Sequence, residues 1–207
     1  MTININACDI NNDYFHFTNK SNINSILNNG LIPSVGVASK IVEDRQNVSV
    51  SKGGKGIIGI INSFIFKFSG LKASEIPEEY RKYFIEISDF ESDTLIGREN
   101  SCKAIIRKLQ DEVYFRVELG KEELKQAQIG GLTGYDINLP IKIDKSKIDI
   151  ITNSDDKVLT AYEIAKNIYE RAKNIDAIRN MHEEFFYMFE MQGKDEFKKE
   201  DSDDMER

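Results

Sequence analysis

Cysteine and histidine occur only twice each, at Cys8, Cys102, His16 and His182. Two thiols cannot form a disulfide framework or a thiolate metal cage. A mixed zinc site would need all four residues, and they fall at no ligand spacing. No stretch approaches the ~20 apolar residues of a membrane span. The opening Met1-Thr2-Ile3-Asn4-Ile5-Asn6 has neither a basic segment nor an apolar one, so no secretory signal is read there. The expectation is a reducing, cytoplasmic location. Basic side chains are also in deficit, with 28 Lys and Arg against 35 Asp and Glu and a net charge of −7. That opposes a general nucleic-acid coat, although a local basic groove is compatible with it.

What is present suits an ordinary globular domain. The 207 residues are 40% hydrophobic and 30% charged, enough to bury one core. Isoleucine (29) far outnumbers leucine (10), a skew that fits AT-rich codon usage, as in low-GC bacteria and their mobile elements. Residues 1–70 carry six basic and four acidic side chains, so an anionic small ligand finds its best field there.

Tyr14-Phe15-His16-Phe17-Thr18 reads as a strand rich in aromatic and β-favouring residues. Ser21 to Asn28 reads as a short helix capped by Asn19 or Ser21, with Ile23, Ile26 and Leu27 inward and Gly30 at its end. Val48-Ser49-Val50-Ser51 alternates as a strand does. Lys52-Gly53-Gly54-Lys55-Gly56 is expected to turn sharply. Ile57 to Phe68 is expected to be helical at first and to pass into a strand at Phe64, Phe66 and Phe68. Further helices are expected from Asn100 or Ser101 to Gln110, and from Lys121 to Gln128. Val113 to Leu119 is the clearest strand, with short ones at Ile141-Lys142-Ile143 and Ile148 to Ile151. Residues 34–47, 85–99 and 130–134 read as loops. A long amphipathic helix follows Asp155 or Asp156, then an aromatic-rich helix at 175–191. Strands and helices mix without regular βαβ alternation, which points to an α+β fold. The expected organisation is a core over 1–153, C-terminal helices over 154–192 packed on it, and an acidic, disordered tail over 193–207.

Several residue groups are candidates for chemistry. His16 stands just before a capped helix, whose free N–H groups favour anions. Lys52, Lys55 and the glycines Gly53, Gly54 and Gly56 would let backbone amides approach a phosphate, though the spacing is not that of a P-loop. Arg116, Glu118 and Tyr114 share one strand face by alternation. There Glu118 would hold a sugar hydroxyl or stabilise the positive charge of a breaking glycosidic bond. Gln126 and Gln128 are amides within reach of a ribose or base. His182-Glu183-Glu184 lacks the second histidine of a zinc-protease helix, because residue 186 is Phe.

The block Tyr14-Phe15-His16-Phe17-Thr18, followed by Asn22, Ile26-Leu27 and Gly30-Leu31, resembles the opening motif of ADP-ribosyltransferase-like proteins. The nearest branch holds bacterial DNA-targeting ADP-ribosyltransferase toxins and RNA 2′-phosphotransferases. The resemblance covers residues 13–33 and extends to 48–60. It implies an α+β fold with a split β-sheet, flanking helices and a helical C-terminal extension, pinching NAD between two halves. It implies that His16 hydrogen-bonds a ribose, that Thr18 shapes the same pocket, and that Ser51, or Ser49, supports the ribose or the catalytic acid. Lys52 and Gly53 would lie along the cofactor, Tyr83 or Tyr80 would stack on nicotinamide, and Glu118 would be the catalytic acid.

The sequence shows no Gln-x-Glu or Glu-x-Glu turn ahead of a strand in the place the resemblance implies. Two functions are therefore expected in competition. One is NAD-dependent mono-ADP-ribosyl transfer to a protein or nucleic acid, as by a bacterial or phage toxin or effector. The other is non-catalytic capture of a nucleotide or NAD derivative, as by a phage or mobile-element inhibitor of host defence. An inhibitor acting through its C-terminal helix and tail, and RNA 2′-phosphate transfer, rank behind them.

Overall fold

The computed structural model describes residues 1–34, 46–84, 95–130, 135–175, 179 and 182–192. Most of the expected loops at 34–47, 85–99 and 130–134, and the tail at 193–207, lie outside them. Contacts divide the chain into two compact units, Met1–Ile60 with Leu109–Ala165 and Ile61–Lys108 with Lys166–Arg207. The division cuts the expected core instead of following the 153/154 boundary, because residues from inside 1–153 cluster with the C-terminal helices.

The first unit is built on one mixed sheet. Its strands are β1 (Thr2–Asn4), β2 (Tyr14–Asn19), β3 (Val48–Lys52), β4 (Glu112–Val117), β5 (Gln128–Gly130), β6 (Asp136–Leu139) and β7 (Ile148–Thr152). They lie in the order β1-β7-β4-β2-β3-β6-β5. Only β1 and β7 run parallel; the other neighbours are antiparallel. Among the described residues the helices are α1 (Ile23–Asn29), α2 (Gly53–Ser69), α3 (Glu78–Arg81), α4 (Arg98–Gln110), α5 (Lys121–Gln126) and α6 (Ala161–Ala172), with a further one at 183–192. The mixture is α+β, as composition and pattern suggest. No helix among the described residues is long and apolar enough to cross a membrane.

Alternation sorts the sheet into two faces. Val113, Phe115 and Val117 of β4, Val48 and Val50 of β3, Leu139 of β6 and Ile148 and Ile150 of β7 form one buried cluster with Ile26, Leu31 and Ile143. Tyr14 packs against its edge. The short helix α1 covers this face with Ile23, Ile26 and Leu27. A 3₁₀ turn at Lys20–Asn22 leads into it, and the Asn19 side chain accepts the Ser21 N–H at 2.9 Å. The opposite face carries Phe15, Phe17, Ser49, Ser51, Tyr114, Arg116, Asp136, Asn138 and Asp149, as the strand registers require.

Two expectations for the helices change. Residues 53–69 are one helix with no strand at Phe64–Phe68. Ile57, Ile58, Ile61, Ile65 and Phe68 are buried while Phe66 is 73% exposed, a helical spacing that outweighs the alternating phenylalanines. The helix at 121 stops at Gln126, and Gln128 opens β5 instead. Ile141 to Ile143 forms no strand; Ile143 makes a single bridge to Leu31.

In the second unit Phe64, Phe68, Tyr80 and Phe84 form a chain of ring contacts 5.0–6.1 Å apart. Tyr169, Phe185, Phe186 and Phe189 form another, with centroids 5.0–5.6 Å apart. The Asn62 side chain accepts the Phe185 N–H at 3.1 Å and ties the 183–192 helix to this unit.

Candidate functional site

The central strand β2 is paired along its whole length with β4, from Tyr14↔Val117 to Asn19↔Glu112. With β3 it pairs only at Tyr14↔Lys52 and Phe15↔Ser51. Both strands continue past that point without laddering, so the sheet opens between them. His16 is the first residue of β2 beyond the last pair. Its Nδ1 lies 2.8 Å from the Ser49 carbonyl oxygen across the opening.

That contact fixes the tautomer. A carbonyl only accepts, so Nδ1 carries the proton and donates, and in the neutral ring Nε2 is left as an acceptor. Nδ1–Ser49 is the single hydrogen bond of this ring among the described residues. Desolvation by the surrounding protein lowers the His16 pKa from its ordinary value, and the Ser49 carbonyl opposes this only in part. The side chain nevertheless keeps some exposed surface. With its pKa lowered, the ring stays neutral at pH 7.

Behind the opening, β3 and β6 are joined by side chains as well as backbone. Ser51 is buried, and its hydroxyl donates to Asp136 Oδ1 at 3.1 Å. One pair along, the Ser49 hydroxyl donates to Asn138 Oδ1 at 2.8 Å. Gln128 of β5 pairs with Asn138 in the next strand over. Alternation places these side chains on the face opposite His16. The two halves therefore meet at the backbone of β3, whose Ser49 carbonyl faces the imidazole while its hydroxyls hold a carboxylate and an amide.

The turn from β3 into α2 clamps this arrangement. Gly53 has φ +65°, and a Cβ there would lie 2.8 Å from the Ile10 carbonyl oxygen. Gly56 brings the first turn of α2 so close that its Cβ would stand 2.8 Å from Ser51 Cβ. The Gly53 N–H donates to the Asp13 carbonyl at 2.8 Å and the Gly54 N–H to the Ile10 carbonyl at 2.5 Å. These amides serve the Ile10–Asp13 turn, so the expected phosphate cradle loses its two leading donors.

The remaining expected residues separate. Thr18 is half-buried and its hydroxyl accepts from Asn22 Nδ2 at 2.9 Å, on the His16 face. Lys52 is exposed at the end of β3, opposite Tyr14. Tyr83 belongs to the second unit, buried, with the Lys82 and Lys108 ammonium groups 4.7 and 5.8 Å from its ring centroid. Tyr80 packs there on Phe64 and Phe68. Glu118 is exposed beyond the end of β4, and its N–H donates to the Lys147 carbonyl at 2.8 Å. It stands three positions past Phe115, the partner of His16, and is not brought to Ser51. Its expected strand neighbour Arg116 is instead paired with Asp149 at 2.6 Å. The carboxylate at Ser51 is Asp136, which sequence reasoning passed over. Asp136-Ile137-Asn138-Leu139 alternates polar and apolar as Val48-Ser49-Val50-Ser51 does. That match was the available signal.

No family model, curated protein or solved structure matches the chain. Among the described residues no group of three or more His, Cys, Asp or Glu could hold a metal ion. The chemistry open to the site is that of a neutral imidazole acceptor, a hydroxyl-held carboxylate and neighbouring amides at an opening in a sheet. An imidazole acceptor can hydrogen-bond a hydroxyl, and a carboxylate can stabilise positive charge as that charge develops.

Proposed function

We propose that the chain is an ADP-ribosyltransferase-like enzyme that uses NAD to modify a macromolecular acceptor. The observation that carries this reading is the opening between β2 and β3, with His16 on one side and Ser51–Asp136 on the other. It supports the split sheet that the Tyr14–Leu31 motif implies. NAD would supply a ribosyl–nicotinamide bond whose cleavage builds positive charge on the sugar.

The chain's own groups suit the tasks that cleavage sets. His16 Nε2 accepts a hydrogen bond from a ribose hydroxyl. Asp136 takes the role first given to Glu118, acting through the opening from the face opposite His16. Ser51 orients that carboxylate by donating to it. Orientation and electrostatics then lower the barrier without a covalent protein intermediate. The acceptor nucleophile attacks the sugar as neutral nicotinamide leaves, and the nucleophile's proton passes to water. The presence of a carboxylate at Ser51 favours turnover over the non-catalytic alternative.

Incubating the full chain with NAD and cell lysate tests this. Nicotinamide release with label transfer, lost in both His16→Ala and Asp136→Asn, is the expected result. Tight NAD binding with unchanged ligand recovered would favour the non-catalytic reading. Neither binding nor release would remove both.

A further inference from the structure

Backbone parity shows which bond the opening lacks. Asp13, just before β2, accepts the Gly53 N–H from the β3 side at 2.8 Å, and Lys20, just after β2, donates to Asp111 on the β4 side at 3.0 Å. Alternation therefore turns the peptide groups of Phe15 and Phe17 toward β3. On β3 the Lys52 N–H goes to Tyr135, beside β6, at 2.9 Å, so the peptide groups of Ser49 and Ser51 face β2. Phe15 and Ser51 make their pair. The next hydrogen-bonded pair in this register is Phe17 with Ser49, and it does not form although both residues lie inside their strands.

A side chain meets the Ser49 carbonyl instead. His16 Nδ1 donates to it at 2.8 Å, where the Phe17 N–H would donate in a continued ladder. Neither strand holds a proline or glycine that would end pairing by itself; β2 is Tyr-Phe-His-Phe-Thr-Asn and β3 is Val-Ser-Val-Ser-Lys. Both stay paired on their other sides, β2 with β4 through Asn19 and β3 with β6 from Val48 to Ser51. The separation is confined to the one seam that the imidazole enters.

We propose that the His16 imidazole is the wedge that holds this seam open, its Nδ1–H occupying the carbonyl that would otherwise close the β2–β3 ladder. One ring nitrogen then maintains the cleft while Nε2 is left for a ligand, and the cleft is preformed in the unliganded chain. This deepens the NAD reading, but the opening of the seam does not depend on what binds there.

The full chain, labelled with ¹³C and ¹⁵N and free of ligand, is compared with His16→Ala and His16→Asn. In a closed ladder residue 16 and Val50 form a non-hydrogen-bonded pair with Cα atoms ~4.5 Å apart, which a cross-strand Hα–Hα Overhauser contact reports. The wild type should lack that contact. His16→Ala should gain it, together with a scalar coupling from the Phe17 nitrogen to the Ser49 carbonyl carbon. His16→Asn keeps a donor near the Nδ1 position and should stay open. A closed seam in the wild type, an open seam in His16→Ala, or closure in His16→Asn overturns the proposal. Should His16→Ala fail to fold, the other two decide. An open seam in both, with Nδ1 protonated in the wild type, supports the wedge; a bare Nδ1 or a closed seam in either overturns it. Closure in His16→Ala with a wild type that neither binds nor cleaves NAD keeps the wedge and removes the NAD reading. Wild-type turnover of NAD with an open seam in His16→Ala does the reverse.

Discussion

Acidification should both loosen the fold and weaken ligand binding through one residue, His16. The neutral ring donates from Nδ1 to Ser49 at 2.8 Å, and protonation leaves that bond in place. What protonation adds is a charge on a desolvated ring, which is why the folded-state pKa lies below the ordinary histidine value. The sign follows by linkage. Between the lowered folded value and ~6.5 the unfolded chain binds more protons, so stability falls as pH drops through that window. The loss is at most ~1.4 kcal/mol per pH unit, ceases below the folded pKa, and is absent above ~6.5. Urea unfolding from pH 8 to 5, with His16→Asn as the reference, isolates the term from the rest of the titration. Nitrogen-15 spectra at pH 7.5 should show Nδ1 protonated and Nε2 bare. NAD should bind less well as pH falls, because Nε2 turns from acceptor to donor. A ring protonated on Nε2 at pH 7.5, or a His16 pKa at or above ~6.5, would refute the reasoning.

Two substitutions probe the frame around the site. Gly56→Ala gains up to ~1 kcal/mol of helix propensity, but its Cβ would stand 2.8 Å from Ser51 Cβ. Denaturant unfolding should therefore show a net loss of stability, together with weaker NAD binding as Ser51 is pushed from Asp136; a stabilised variant would show that the first turn of α2 is not clamped. Asp149→Ala removes the buried partner of Arg116, which holds it at 2.6 and 3.1 Å. The same assay should read a loss of about 1–3 kcal/mol, since Arg116 keeps part of its surface in water.

The elements with strong local signals were legible in the sequence. Tyr14–Thr18, Val48–Ser51 and Ile148–Ile151 fall inside β2, β3 and β7, and the Asn19 cap with the Gly30 stop brackets the turn and helix that end with α1. What escaped was short or set by partners. The strand β6 has four residues, and only its pairing with β3 makes it a strand. That pairing, between residues 85 positions apart, also delivers Asp136 to Ser51. A carboxylate placed beside Ser51 by strand register cannot be found from spacing along one strand. The phosphate-cradle idea for Gly53 and Gly54 failed for a related reason. Glycine there allows a tight approach, but the groups approached are the carbonyls of Ile10 and Asp13.

The most direct test is an amide chemical-shift map of the full chain titrated with NAD. The account predicts perturbations converging on His16, Ser49, Ser51 and Asp136, abolished in His16→Ala. A saturating titration whose shifts lie elsewhere on the chain, or no shifts at all, would contradict it.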